Sequence, residues 1–271
     1  MIAKQGVLRY WLKFMDLFAN FELPHYSGWE IPALATIAAI GGFMRGFAGF
    51  GTTILMIPLF SLFMAPVEAV FIGLAIDAAA TLPLLPTAFR QAQWRPILPL
   101  MAASLLVTPL GAYVLLIASA DMMRLSIAVT VIISAILMMT GWHYSGRRST
   151  LLTVIVGSIT GLISTATGAS GPLLAVYFLS GDAMVRQIRA SFNCLSIFKL
   201  LTSAFFIAYA SSFRASVYYT VLTLLPISYV FTWVGSKYFG GVSEQKFRAL
   251  LNYFLILVGL IIITRTLLGS F

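Results

Sequence analysis

With 271 residues, 60% of them hydrophobic and only 9% charged, and a mean hydropathy of +0.97, this chain cannot present an ordinary water-facing surface, because soluble domains carry about a quarter charged residues. Its net charge of +9 would suggest nucleic acid in a soluble protein. Here the basic residues (Arg90, Arg95, Arg147, Arg148, Lys237, Lys246, Arg248) are dispersed through short loops, as the orientation signal of a membrane protein is and a nucleic-acid footprint is not.

The first thirty residues mix Lys4, Arg9 and Lys13 with Asp16, Glu22 and Glu30 and have no long apolar core, so they do not read as a cleaved signal. Trp11, Phe14, Leu17, Phe18 and Phe21 recur at helical spacing, which suits an interfacial helix; a floppy basic leader is the plainer alternative. Apolar runs then follow at 31–44, 52–64, 67–86, 96–117 and 124–142, and again at 151–166, 172–180, 184–208, 215–235 and 247–268. Continuous runs satisfy their own backbone in lipid as helices, and a barrel would instead alternate at period two. The chain therefore reads as an all-α polytopic membrane protein. The single cysteine, Cys194, excludes an intrachain disulfide and a thiolate metal cluster and reads as a small buried hydrophobe.

The two sets of runs share an order: a short run, a glycine-rich break, another short run, then three longer spans. Gly42 and Gly46 precede the first break, Gly49-Phe50-Gly51-Thr52, and Gly157 and Gly161 precede the second, Gly168-Ala169-Ser170-Gly171-Pro172. Gly111 lies 13 positions before Arg124, as Gly235 lies before Arg248. We read residues 31–142 and 151–268 as two homologous repeats. The short runs rise only about 14–21 Å, which makes them half-helices around a break, and paired breaks in two halves point to a transporter's substrate site. A broken pair that crosses twice or is re-entrant leaves an odd number of crossings and inverted halves; one that crosses once leaves parallel halves. The inverted arrangement is the preferred one.

Charges at membrane depth cost about 2.5–3.5 kcal/mol each on insertion scales, which singles out Arg45, Asp77, Arg189 and Lys199. Glycines at the first break let backbone N–H groups approach a ligand, and Thr52 could open the following helix. Ser170-Gly171-Pro172 reads as a second helix start. Two helix N-termini facing each other would cradle an anion; the bland alternative is that the glycines only let helices pack closely. Arg189, Asn193, Ser196, Lys199 and Ser203 fall within about 120° of one helix face, and within a membrane such a stripe faces the protein interior or a watery path. Asp77 shares its face with Gly73 and Thr81 and could carry a coupling proton, or pair with Lys199 or an arginine.

The run Arg45-Gly46-Phe47-Ala48-Gly49-Phe50-Gly51, the second break at Gly168–Gly171 and the segment Ile188-Arg189-Ala190-Ser191-Phe192-Asn193 resemble the TauE/SafE family of sulfite exporters and 4-toluene sulfonate uptake permeases. The resemblance covers roughly residues 31–268. It implies a cell-membrane transporter built from two related modules, with sulfur-containing anions such as sulfite, sulfoacetate and organosulfonates as substrates. Members often have a more glycine-rich first break, and Arg45 and Phe50 here fit a sub-pattern. The resemblance carries over no catalytic residue.

Two rival classes can be weighed on residues. Gly168-Ala169-Ser170-Gly171 matches the nucleophile pattern of rhomboid proteases, whose base is a histidine on a later span, yet His25 and His143 both precede Ser170. A passive anion channel could use the same cations. No Gly-x-x-x-x-Gly-Lys-Ser/Thr loop is present, so ATP hydrolysis is not expected. The expectation is thus a secondary transporter of sulfite or an organosulfonate working by alternating access. Its substrate would be bound by Arg45, Gly49, Gly51, Thr52, Gly168, Ser170, Gly171, Arg189, Asn193, Ser196 and Lys199, with Asp77 carrying a proton if transport is proton-coupled. No enzymatic activity, cofactor or metal site is expected. The partners are a small anion and the lipid bilayer, not nucleic acid, and a homo-oligomer stays open.

Overall fold

The computed structural model describes residues 28–48, 51–140, 149–179, 185–237 and 244–269. The leader, 1–27, lies outside them. Among the described residues every regular element is helical: α1 (Glu30–Ala48), α2 (Thr52–Phe60), α3 (Pro66–Thr81), a 3-10 turn (Leu82–Leu84), α4 (Leu85–Gln91), α5 (Trp94–Ile117), α6 (Ala120–Thr140), α7 (Thr150–Thr167), α8 (Gly171–Leu179), α9 (Val185–Ala210), α10 (Ala215–Lys237) and α11 (Glu244–Leu267). Among the described residues five helices are long and apolar enough to cross a membrane, or six if α3 and α4 form one bent span. The outward faces carry exposed Leu106, Leu110, Ile133, Leu222 and Leu257, a surface that lipid solvates and water does not.

The helix starts follow from local chemistry. Pro66 occupies the first turn of α3, where its missing N–H costs nothing. The Ser149 hydroxyl caps α7 by accepting from Leu152 N at 3.1 Å. Two features differ from the reading by runs. The first arm of each broken pair is longer than its apolar stretch, at 19 residues for α1 and 18 for α7. In α1 the helix continues past Arg45 because an internal carboxylate neutralises it. In α7 it continues to Thr167 because Thr165 and Thr167 return their hydroxyls to Gly161 O and Ile163 O, both at 3.0 Å. The run 67–86 is also not one straight span; α3 and α4 meet at 73° across a turn that contains Pro83.

The second arm of each pair folds back along the first. Gly41 on α1 faces Met56 on α2, and Trp29 meets Phe63 beyond the end of α2 with ring centroids 5.6 Å apart. In the other half, Thr153 near the start of α7 shares a hydrogen bond of 2.7 Å with Tyr177 near the end of α8. Packing between the halves is reciprocal. The paired glycines of α1, Gly42 and Gly46, lie against the backbone of α10 at Ser228 and Thr232, and Gly235 of α10 lies against Phe43 O. The paired glycines of α7, Gly157 and Gly161, lie against α5 at Leu100 O and Ser104 O, where an added Cβ would sit 2.9 and 2.6 Å away; Gly111 of α5 lies against Leu162 O. These glycines have the packing role that small residues serve in membrane helices, and both contacts run parallel, since the numbers rise together. α6 and α11 form a third pair, with Gly259 against Ile132 and Ala128. The larger buried cluster draws most heavily on α2 and α3, with further residues from α1, α6 and α9.

Candidate functional site

Both breaks turn on a glycine with left-handed backbone. Gly51, at the start of α2, has φ 96°, and Gly168, at the end of α7, has φ 73°. Residues with a Cβ rarely adopt that conformation. Gly168 is also pressed against the Ile57 side chain and Gly51 against Met44, so neither position has room for a larger residue. After each glycine the chain starts a nine-residue helix, α2 or α8, whose first-turn N–H groups lack intrahelical partners. Pro172 removes one donor from α8 while pre-setting its first turn.

Charge is concentrated where these starts meet. The Arg45 guanidinium donates from Nη1 to Asp77 Oδ1 at 2.5 Å, and both side chains are buried. Nη2 of Arg45 donates to Thr81 Oγ1, which in turn donates to the Asp77 carbonyl at 2.7 Å. Lys199, 2% exposed, donates from Nζ to Ser170 Oγ at 2.7 Å. Among the described residues no carboxylate lies within ion-pair reach of Lys199.

A cavity of about 30 Å³ joins these groups. Of the residues singled out in the sequence, Arg45, Gly51, Asp77, Gly168, Ser170, Gly171, Ser196 and Lys199 line it. Thr52 is buried beside it, and the Asn193 Oδ1 is buried without a hydrogen-bond partner among the described residues, but neither residue lines the wall. Gly49 and the side chain of Arg189 lie outside the described residues. Ser203 is engaged elsewhere, sharing a hydrogen bond of 2.6 Å with Thr165. The wall also includes Thr53, Ser164, Met138 and Phe192, which sequence reasoning missed. Ser164 had a faint signal, since it follows Gly157 and Gly161 at helical spacing; Phe192 stood only within the segment that carries the family resemblance, and Met138 had no signal. Cys194 packs with Leu174 and Tyr177 in an apolar cluster, as a small buried hydrophobe would.

A family model described as Sulfite exporter TauE/SafE matches residues 34–262, most of the chain. The chain belongs to the TauE/SafE family. It is accordingly a multi-pass membrane protein of the cell membrane and an exporter-type membrane transporter. No curated protein and no solved structure matches it. The matched range holds both breaks, the buried charges Arg45, Asp77 and Lys199, and every residue of the cavity wall in this TauE/SafE chain.

Proposed function

We propose that this TauE/SafE protein is a secondary transporter that carries sulfite or an organosulfonate by alternating access, with the cavity between the two breaks as its binding site. One observation carries the reading: the cavity brings both helix starts, a buried lysine and a buried Arg–Asp pair to one place inside the helical bundle. Ser170, Ser196, Lys199 and the free N–H groups of the second helix start offer an anion hydrogen bonds and positive charge together. Arg45 attracts the anion as well, although Asp77 offsets part of its charge.

The helix directions support an inverted repeat. α5 and α9 begin side by side, where Gln93 and Gln187 share a hydrogen bond of 3.2 Å. α10 starts where α9 ends, and its first turn meets α3 through Tyr218 and Phe71, so α10 runs against α5. Because α1 runs with α10 and α7 with α5, the first helices of the two halves oppose each other. Two opposed hairpins around one site suit a carrier that exposes it to each side in turn.

The test is counterflow of radiolabelled sulfite and of a labelled small sulfonate in liposomes holding the purified protein. A carrier gives saturable uptake driven by unlabelled anion trapped inside. Uptake that is linear in concentration and indifferent to trapped anion would replace the carrier with a passive channel, and no uptake of either anion would overturn the substrate class.

A further inference from the structure

The three charged groups of the cavity do not balance. Arg45 and Asp77 answer each other at 2.5 Å, with Thr81 completing the contact. Among the described residues Lys199 has only the Ser170 hydroxyl as a hydrogen-bond partner.

Its surroundings offer no substitute among the described residues. Helix α9 packs against α3, α4, α5, α7 and α8. Asp77 of α3 lies on the same cavity wall, but it is held by Arg45 of α1. The charged residues of α4 and α5, Arg90 and Arg95, are exposed. From α7 come only hydroxyls, Ser164 on the wall and Thr165 bonded to Ser203. Tyr177 of α8 is bonded to Thr153, and Cys194 of α9 itself faces the apolar cluster. An ammonium taken out of water with no counter-ion is so costly that such groups shed their proton instead. An anion seated in the cavity would supply the missing counter-charge and favour the ammonium again.

Building on the anion-transporter reading above, we propose that Lys199 is the proton carrier of the transport cycle, a neutral amine in the empty cavity and an ammonium when an anion is seated. The proton comes from water on the side of loading and adds to the amine lone pair. It returns to water on the side of release, so no other reactant is needed. A singly charged anion and its proton then cross together with no net charge moved. Asp77 stays the fixed counter-ion of Arg45 throughout and is not the carrier.

The experiment uses the full chain purified in weakly buffered detergent with a pH-sensitive dye. The probes are methanesulfonate, which stays singly charged around neutral pH, and sulfite, with its own titration subtracted in a protein-free blank. On the alkaline side, binding is expected to take up about one proton per anion and to weaken by about tenfold per pH unit. Lys199→Arg, whose guanidinium cannot shed its proton, should bind with no uptake and a flat pH profile. Asp77→Asn should keep the uptake per anion bound. The wild-type measurement decides even if a variant fails to fold: anion binding with no proton uptake overturns the proposal and leaves the transporter standing. Uptake lost in Asp77→Asn and kept in Lys199→Arg would move the carrier to Asp77 and overturn it too. Binding of neither probe would overturn the anion-site reading beneath it.

Discussion

Asp77→Ala is expected to lower the stability of the purified protein by about 3–5 kcal/mol, the usual consequence of stranding one partner of a buried ion pair. Arg45 and Asp77 are both buried, and without the carboxylate the guanidinium keeps, among the described residues, only the Thr81 hydroxyl, with Nε already lacking a partner there. The effect should reach beyond one contact, because the pair ties α1, next to the first break, to the C-terminal half of α3. Replacing both partners with apolar residues, Arg45→Met with Asp77→Leu, should recover most of the loss, since a well-packed apolar pair is often as stable as a buried salt bridge. Thermal or denaturant unfolding in detergent reads both variants. A single Asp77→Ala variant as stable as wild type would mean that Arg45 reaches water or another anion.

Lys199→Met should do the opposite, leaving the fold and removing the function. Methionine fills a similar volume with no charge to desolvate, so the melting temperature should hold or rise. Affinity for the anion should fall by about 2–5 kcal/mol, the range for truncating one partner of a buried charge pair, which is about thirtyfold or more in Kd. The pairing of an unchanged melt with lost counterflow separates a binding group from a structural one. A variant that unfolds would instead make Lys199 part of the scaffold.

The breaks and about half of the cavity wall were legible in the sequence for one reason. Charges are rare and costly in apolar spans and clustered glycines interrupt an apolar run, so Arg45, Asp77, Lys199, Gly51 and Gly168 stand out from their surroundings. The polar stripe placed Ser196 and Lys199 on one face before any fold was known. The choice of partner for Asp77 was not legible. Whether it meets Arg45 or Lys199 depends on which helices pack together, and helical periodicity says nothing of that. The extent of α1 past Arg45 was hidden for the same reason, because a charge ends an apolar run on paper but not in a fold that supplies its counter-ion. Met138 and Phe192 line the wall with side chains that resemble those of any lipid-facing span. Pro83 and Pro86 did carry a signal for the bend after α3, but the apolar run around them read as one continuous span.

The most direct test of the account is where an anion sits. Selenite, the selenium analogue of sulfite, would be diffused into crystals of the wild-type protein and located by anomalous scattering at the selenium edge. The account predicts one peak in the cavity, within hydrogen-bond distance of Lys199 Nζ and Ser170 Oγ, beside the start of α8. A peak elsewhere along the helices, or an empty cavity in a protein that transports selenite in liposomes, would contradict it.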